Sequence, residues 1–173
     1  MFQQSLNLIK SLTKSFVVAS TLGLTTHAMA ATELTTTNTL LTADAAAELA
    51  YQAMMECRTQ GYNVSASVVD RSGNLLAMSR HEMAGPHTIK SSQRKAFTAA
   101  SMGRPTDKLA QLVTDKPVLA GLRDMDERLL LLGGGLPISV NNSRLGGIGV
   151  GGAPGGHLDV ACAEKAMAKV LKN

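Results

Sequence analysis

The sequence predicts an α+β domain, with one antiparallel sheet of five strands covered by helices. Three observations predict it. Apolar residues are 45% and charged residues 17% of 173, a mix that builds one packed core and argues against disorder. Apolar positions recur at helical spacing in three long segments and alternate at period two in the shorter runs between them. Those short runs are joined mostly by turn clusters, the connection antiparallel neighbours use.

The elements follow in order. Ala46, Leu49, Ala50, Ala53 and Cys57 make one face of a helix that starts near Thr42 and closes at Gly61. Val64, Ala66 and Val68 alternate with Ser65 and Ser67 as on a half-buried strand. Asp70-Arg71-Ser72-Gly73-Asn74 is a turn cluster, and residues 75–80 return as a second strand. Gly85-Pro86 precedes a helix over 87–102, ended by Gly103 and Pro105. A short helix follows over 106–113, then a loop over 115–126. Residues 129–132, 136–140 and 145–150 are predicted as three further strands, with Asn141-Asn142-Ser143 turning between the last two. A final helix runs from His157 to Leu171, its inner face Leu158, Cys162, Ala166 and Val170.

The first thirty residues read as an address. Lys10 and Lys14 stand without an acid before an apolar stretch at 16–24 and the small-x-small signal Ala28-Met29-Ala30. This is the layout of a secretory signal peptide cleaved after Ala30. The competing reading is an anchoring helix, but the stretch is about half the ~20 residues that span a bilayer. The expected organisation is signal peptide 1–30, Thr-rich leader 31–41 and domain 42–173. An exported protein with no membrane span after cleavage is expected.

Composition excludes several functions. The formal charge of +4 falls to +2 once the two leader lysines are gone, so nothing calls for nucleic acid or an anionic membrane. With Trp 0, Tyr 2 and Phe 3, a surface for stacking single-stranded bases has little to be built from. Two cysteines rule out a disulfide-rich miniature scaffold. Export permits a bridge between Cys57 and Cys162, on the first and last helices. The alternative is two small buried hydrophobes.

Gly147-Ile148-Gly149-Val150-Gly151-Gly152 satisfies G-x-G-x-x-G. A dinucleotide fingerprint needs those glycines in a strand-to-helix turn, with a second parallel strand beyond. Here they fall inside a predicted strand. Backbone close to something flat or bulky, or simply tight strand packing, accounts for them better. Hydrolase chemistry lacks a G-x-S-x-G elbow. The three histidines after the leader lack zinc-ligand spacing, and there is no C-x-x-C-H for covalent haem.

The segment from Gly85 to Ala100 carries the best candidates. At helical spacing His87, Ser91, Arg94 and Thr98 share one face, with Thr88, Ser91, Lys95 and Thr98 as an overlapping stripe. Imidazole, hydroxyls and two cations together suit a flat anionic ligand. The alternative is an ordinary solvated face. His157 begins the final helix, where free amides favour an anion; a plain surface histidine is the other reading. His81 and Glu82 read as a solvated hairpin-end pair.

Taken together, Val68-Val69-Asp70-Arg71-Ser72-Gly73-Asn74-Leu75, Gly85-Pro86-His87-Thr88 and Arg94-Lys95-Ala96-Phe97-Thr98-Ala99-Ala100 resemble the GlcG/HbpS-type family. So do Gly133-Gly134-Gly135-Leu136-Pro137-Ile138 and the stretch from Ile148 to Asp159. The resemblance covers about residues 40–172. It implies a profilin-like three-layer α/β/α fold with a five-stranded antiparallel sheet. It implies homo-oligomers and non-covalent haem (haem b), with a part in haem sensing, storage or degradation linked to redox stress. A threonine ligates iron in one branch, by position Thr98 or Thr88 here, and a histidine elsewhere. One departure is Glu82-Met83-Ala84, where many members carry Asp-Gly-Ala.

On this reading Arg94 or Lys95 holds the haem propionates, and His87, Thr88, Thr98 or His157 faces the iron, with His87 and Thr98 the leading ligands. Gly-rich strand ends are expected to flank the ring. The alternatives are an oligomeric accessory module for a corrinoid or another metabolite, and a haem-degrading enzyme.

Overall fold

The computed structural model describes residues 35–171. The expected signal peptide lies outside the described residues. Among the described residues, four α-helices and four strands follow one another in the order α1 (Ala43–Arg58), β1 (Ser65–Asp70), β2 (Leu75–Arg80), α2 (His87–Met102), α3 (Thr106–Asp115), β3 (Gly135–Val140), β4 (Ser143–Gly151) and α4 (Gly156–Val170). A short 3-10 helix, Pro117–Arg123, occupies part of the segment expected to be loop.

Local chemistry sets the helix ends. The Thr42 hydroxyl accepts the Ala45 N–H at 3.2 Å and so caps α1, with Asp44 in its first turn and Arg58 in its last. Gly103 closes α2 in the left-handed region at φ 64, donating its N–H to Ala99 O.

The strands form one antiparallel sheet in the order β2-β1-β4-β3. Ile148 of β4 stands between Val68 of β1 and Leu136 of β3, which sets the register at the sheet centre. Layers follow from alternation. Ala66, Val68, Leu136, Ile138, Ile148 and Val150 point to one face and pack in a single core with residues of α1 and α4. The cysteines meet in that layer: Cys57 and Cys162 are disulfide-bonded, with Cα atoms 5.4 Å apart. Ser65, Ser67 and Val69 point to the other face, which α2 covers. Phe97, Leu109, Val113, Leu129 and Leu131 form a second core where α2, α3 and the following loop meet.

The expected fifth strand is absent among the described residues. Residues 129–132 keep the alternating burial of a strand, with Leu129 and Leu131 buried and Leu132 exposed. Their backbone, however, is satisfied by helices. Leu129 O accepts from Arg94, the Leu130 N–H donates to Thr98 Oγ1, and Leu132 O accepts from Thr106. The segment is a strap across α2, and period two alone does not distinguish a strap from a sheet strand.

The glycines of β4 have a structural occupant. A Cβ on Gly149 would fall 2.1 Å from Ser92 O and 2.4 Å from Ala96 N, and one on Gly147 would fall 2.4 Å from Ala96 O. They let the backbone of α2 rest directly on the sheet. The expectation that a haem ring lies against these glycines is therefore corrected, because α2 fills that space. The G-x-G-x-x-G run likewise sits in and just after an antiparallel strand.

Candidate functional site

α2 carries most of the candidates, and the structure sorts them into inner and outer groups. Its sheet-facing side holds Thr88 and Ser92, whose hydroxyls meet Ser65 and Ser67 of β1 at 2.7 Å each. Thr88 is buried, and its hydroxyl also donates to Gly85 O. Lys95 is buried too. Its ammonium donates to Val150 O at 2.9 Å and to the Asp159 carboxylate at 2.8 Å, and the Ala153 N–H donates to the same carboxylate. Burial pushes the Asp159 carboxyl above its usual range, against the pull of Lys95 and these hydrogen bonds. Lys95 thus forms an internal ion pair with Asp159.

Thr98 lies on the outer stripe, as the spacing predicts, but the strap covers it. Its hydroxyl donates to Arg94 O and accepts from the Leu130 N–H, and the residue is fully buried. Ser91 is half-buried and bonds Thr88 O at 3.3 Å. His87 and His157 are exposed at the first turns of α2 and α4, each imidazole folded back over the glycine two residues earlier. His81 is buried, where a solvated side chain was expected. Its Nδ1 accepts the Met83 N–H at 3.1 Å.

What the outer side of α2 does present is a cavity of about 320 Å³ between the β1–β2 hairpin, α2 and the loop residues Glu127 and Arg128 that lead into the strap. Its apolar floor is Val69, Leu75 and Phe97. Its rim holds Lys90, Arg94 and Arg128 against one acid, Glu127. Arg94 donates to Leu129 O, while its Nε is buried without a hydrogen-bond partner. Arg128 lies 4.0 Å from the centroid of the Phe97 ring and is held by Asp126, whose oxygens it meets at 2.7 and 3.0 Å. Those hydrogen bonds lower the Asp126 carboxyl to about 2.

Of the expected residues, only Arg94 lines this cavity. His87 lies one helical turn before the rim residue Lys90. Lys90, Phe97 and Arg128 line the cavity without having been singled out by the sequence pattern. Lys90 and Phe97 lie on the same helix, roughly 40–60° around its axis from the edge of the His87–Thr98 stripe. Arg128 had no local signal, because a loop brings it in.

A sheet with α1 and α4 on one face and α2 on the other, plus a cation-rimmed apolar cavity, defines a small-molecule-binding α/β/α domain. Residues 41–168 match the family model described as haem-degrading protein HbpS-like, and the chain belongs to this HbpS-like family. A crystal structure of a Streptomyces reticuli HbpS double mutant superposes with a TM-score of 0.73 at 41% identity, covering 80% of this chain and 92% of that one. A PduOC–haem complex superposes at 0.69 with 25% identity, covering 75% and 94%. An uncharacterised 15.0 kDa protein of Citrobacter freundii is 36% identical over 87 residues, 50% of this chain and 61% of that protein.

The cavity fits part of a haem. Its greasy floor suits a ring edge, and an arginine without an acidic partner suits a propionate. Among the described residues, no cluster of three or more His, Cys, Asp or Glu is placed to hold a bare metal ion. No described helix is long and apolar enough to cross a membrane.

Proposed function

We propose that this protein is an exported, homo-oligomeric, non-covalent haem-binding protein that senses or stores haem b under redox stress. The observation that carries the reading is the cavity beside α2, where Arg94 and Lys90 border Val69, Leu75 and Phe97. Arg94 and Lys90 hold the propionates by charge-assisted hydrogen bonds, and Phe97 and Leu75 shield the ring edge from water. A cavity of about 320 Å³ lies at the lower end of the ~300–1,000 Å³ range of ligand pockets, so a second subunit completes the enclosure. His87, exposed and one turn from Lys90, is the residue of this helix available to an iron. The bound group supplies the redox-active iron. The Cys57–Cys162 bond supports export, since such bonds persist in oxidising compartments.

Titration with hemin tests this. A saturable Soret shift is expected, weakened about tenfold by Arg94→Gln and again by Lys90→Gln. His87→Ala is expected to change the shape of the spectrum more than the affinity. A flat titration removes the haem reading. Tighter binding of a corrinoid in competition favours an accessory module. The family description also keeps haem degradation in view. Loss of the Soret band on adding ascorbate or peroxide, dependent on folded protein, is its signature.

A further inference from the structure

The end of the sheet remote from the three histidines carries an open groove of about 520 Å³, lined by exposed side chains. It opens between the β1–β2 turn, the β3–β4 turn and the C-terminus of α2. Its polar groups are the guanidiniums of Arg71 and Arg144, the hydroxyls of Thr37, Thr39, Ser139 and Ser143, and the amides of Asn38 and Asn142. Among the described residues, no acidic or aromatic side chain lines it.

Local backbone chemistry places these groups. Asn141 and Asn142 sit at φ 48 and 62, in the left-handed region that a two-residue hairpin turn requires. That turn sets Arg144 opposite Ser139. Arg144 reaches over the end of α2, its Nη1 only 2.2 Å from where a Cβ on Gly103 would stand. Arg71 is oriented by donating to Asn38 Oδ1. Neither arginine forms a salt bridge with a described acid.

We propose that this groove is a second binding site, separate from the haem cavity, for a small anionic polyol: a sugar phosphate or a sugar acid. Guanidiniums recognise phosphate and carboxylate in forked geometry. Hydroxyls and amides match ring hydroxyls as donors and acceptors. With no aromatic face to stack on, a nucleobase has no platform here.

The full chain is titrated with glucose 6-phosphate, glucuronate, glucose and inorganic phosphate, followed by calorimetry and amide chemical shifts. Saturable binding of at least one anionic sugar is expected, with glucose and phosphate each at least about tenfold weaker. Arg144→Gln and Arg71→Gln are each expected to weaken it at least about tenfold and to leave the hemin titration unchanged. Where either variant alters the circular dichroism spectrum, Ser139→Ala with Ser143→Ala replaces it, again with weaker binding expected. No binding below ~10 mM overturns the site, as does affinity unchanged in the variants. Equal affinity for phosphate alone overturns the polyol. A flat hemin titration beside intact sugar binding overturns only the haem reading.

Discussion

The Lys95 ammonium lies 2.8 Å from the Asp159 carboxylate, with both side chains about 4% exposed or less, and this contact joins α2 to α4 around the end of β4. A Cβ on Gly134 would come within 2.8 Å of the ammonium, so glycine lets the chain close over the pair. Removing one partner leaves a buried charge. Lys95→Met is expected to cost about 3–5 kcal/mol, whereas Lys95→Met with Asp159→Leu recovers most of that. Urea midpoints of the two variants check it, and equal losses in both would refute the pairing argument.

The disulfide encloses 105 residues of sequence separation. Its removal by Cys57→Ser with Cys162→Ser is expected to cost about 4–5 kcal/mol, mostly by freeing the unfolded chain. Equilibrium unfolding of the variant, and of the parent with and without reductant, measures it.

Contact between α2 and the sheet predicts a sharp contrast between glycines. Gly149→Ala places a methyl against helix backbone and is expected to destabilise by about 2–3 kcal/mol. Gly121→Ala meets nothing within 4 Å and is expected to stay within about 0.5 kcal/mol of the parent. Thermal unfolding of the two side by side distinguishes them.

The Asp126–Arg128 pair predicts an acid limb. Hydrogen bonds from Arg128 hold the Asp126 carboxyl at about 2, below its ordinary 3.8. The unfolded chain therefore takes up the proton first. The contribution is fully present above pH 3.8 and is lost as pH falls through about 2. Asp126→Asn is expected to flatten the stability profile across that window, read by urea unfolding at stepped pH.

Much of the fold was legible because its elements obey local rules. The Ala46–Cys57 periodicity, the Asp70–Asn74 turn and the Gly103 cap each act within a few residues, and each appears where its chemistry places it. The family was legible for a related reason, since its motifs are continuous stretches. The site was legible only in part. Arg94 was found from helical spacing, yet Thr98 on the same stripe is covered by residues 129–132, a contact 32 positions away. Lys95 was read as a free cation because its partner Asp159 is 64 positions distant. The glycines of β4 were visible as close-approach positions, but what approaches them is set by packing that no local pattern encodes.

The covalent link between α1 and α4 has a consequence for how the chain responds to proteolysis. All four strands, α2 and the exposed 116–126 segment lie between the two cysteines in the chain. A protease nick at Val118 or Met125, both exposed, would leave the halves tethered as one molecule, and only a reducing gel would reveal the cut.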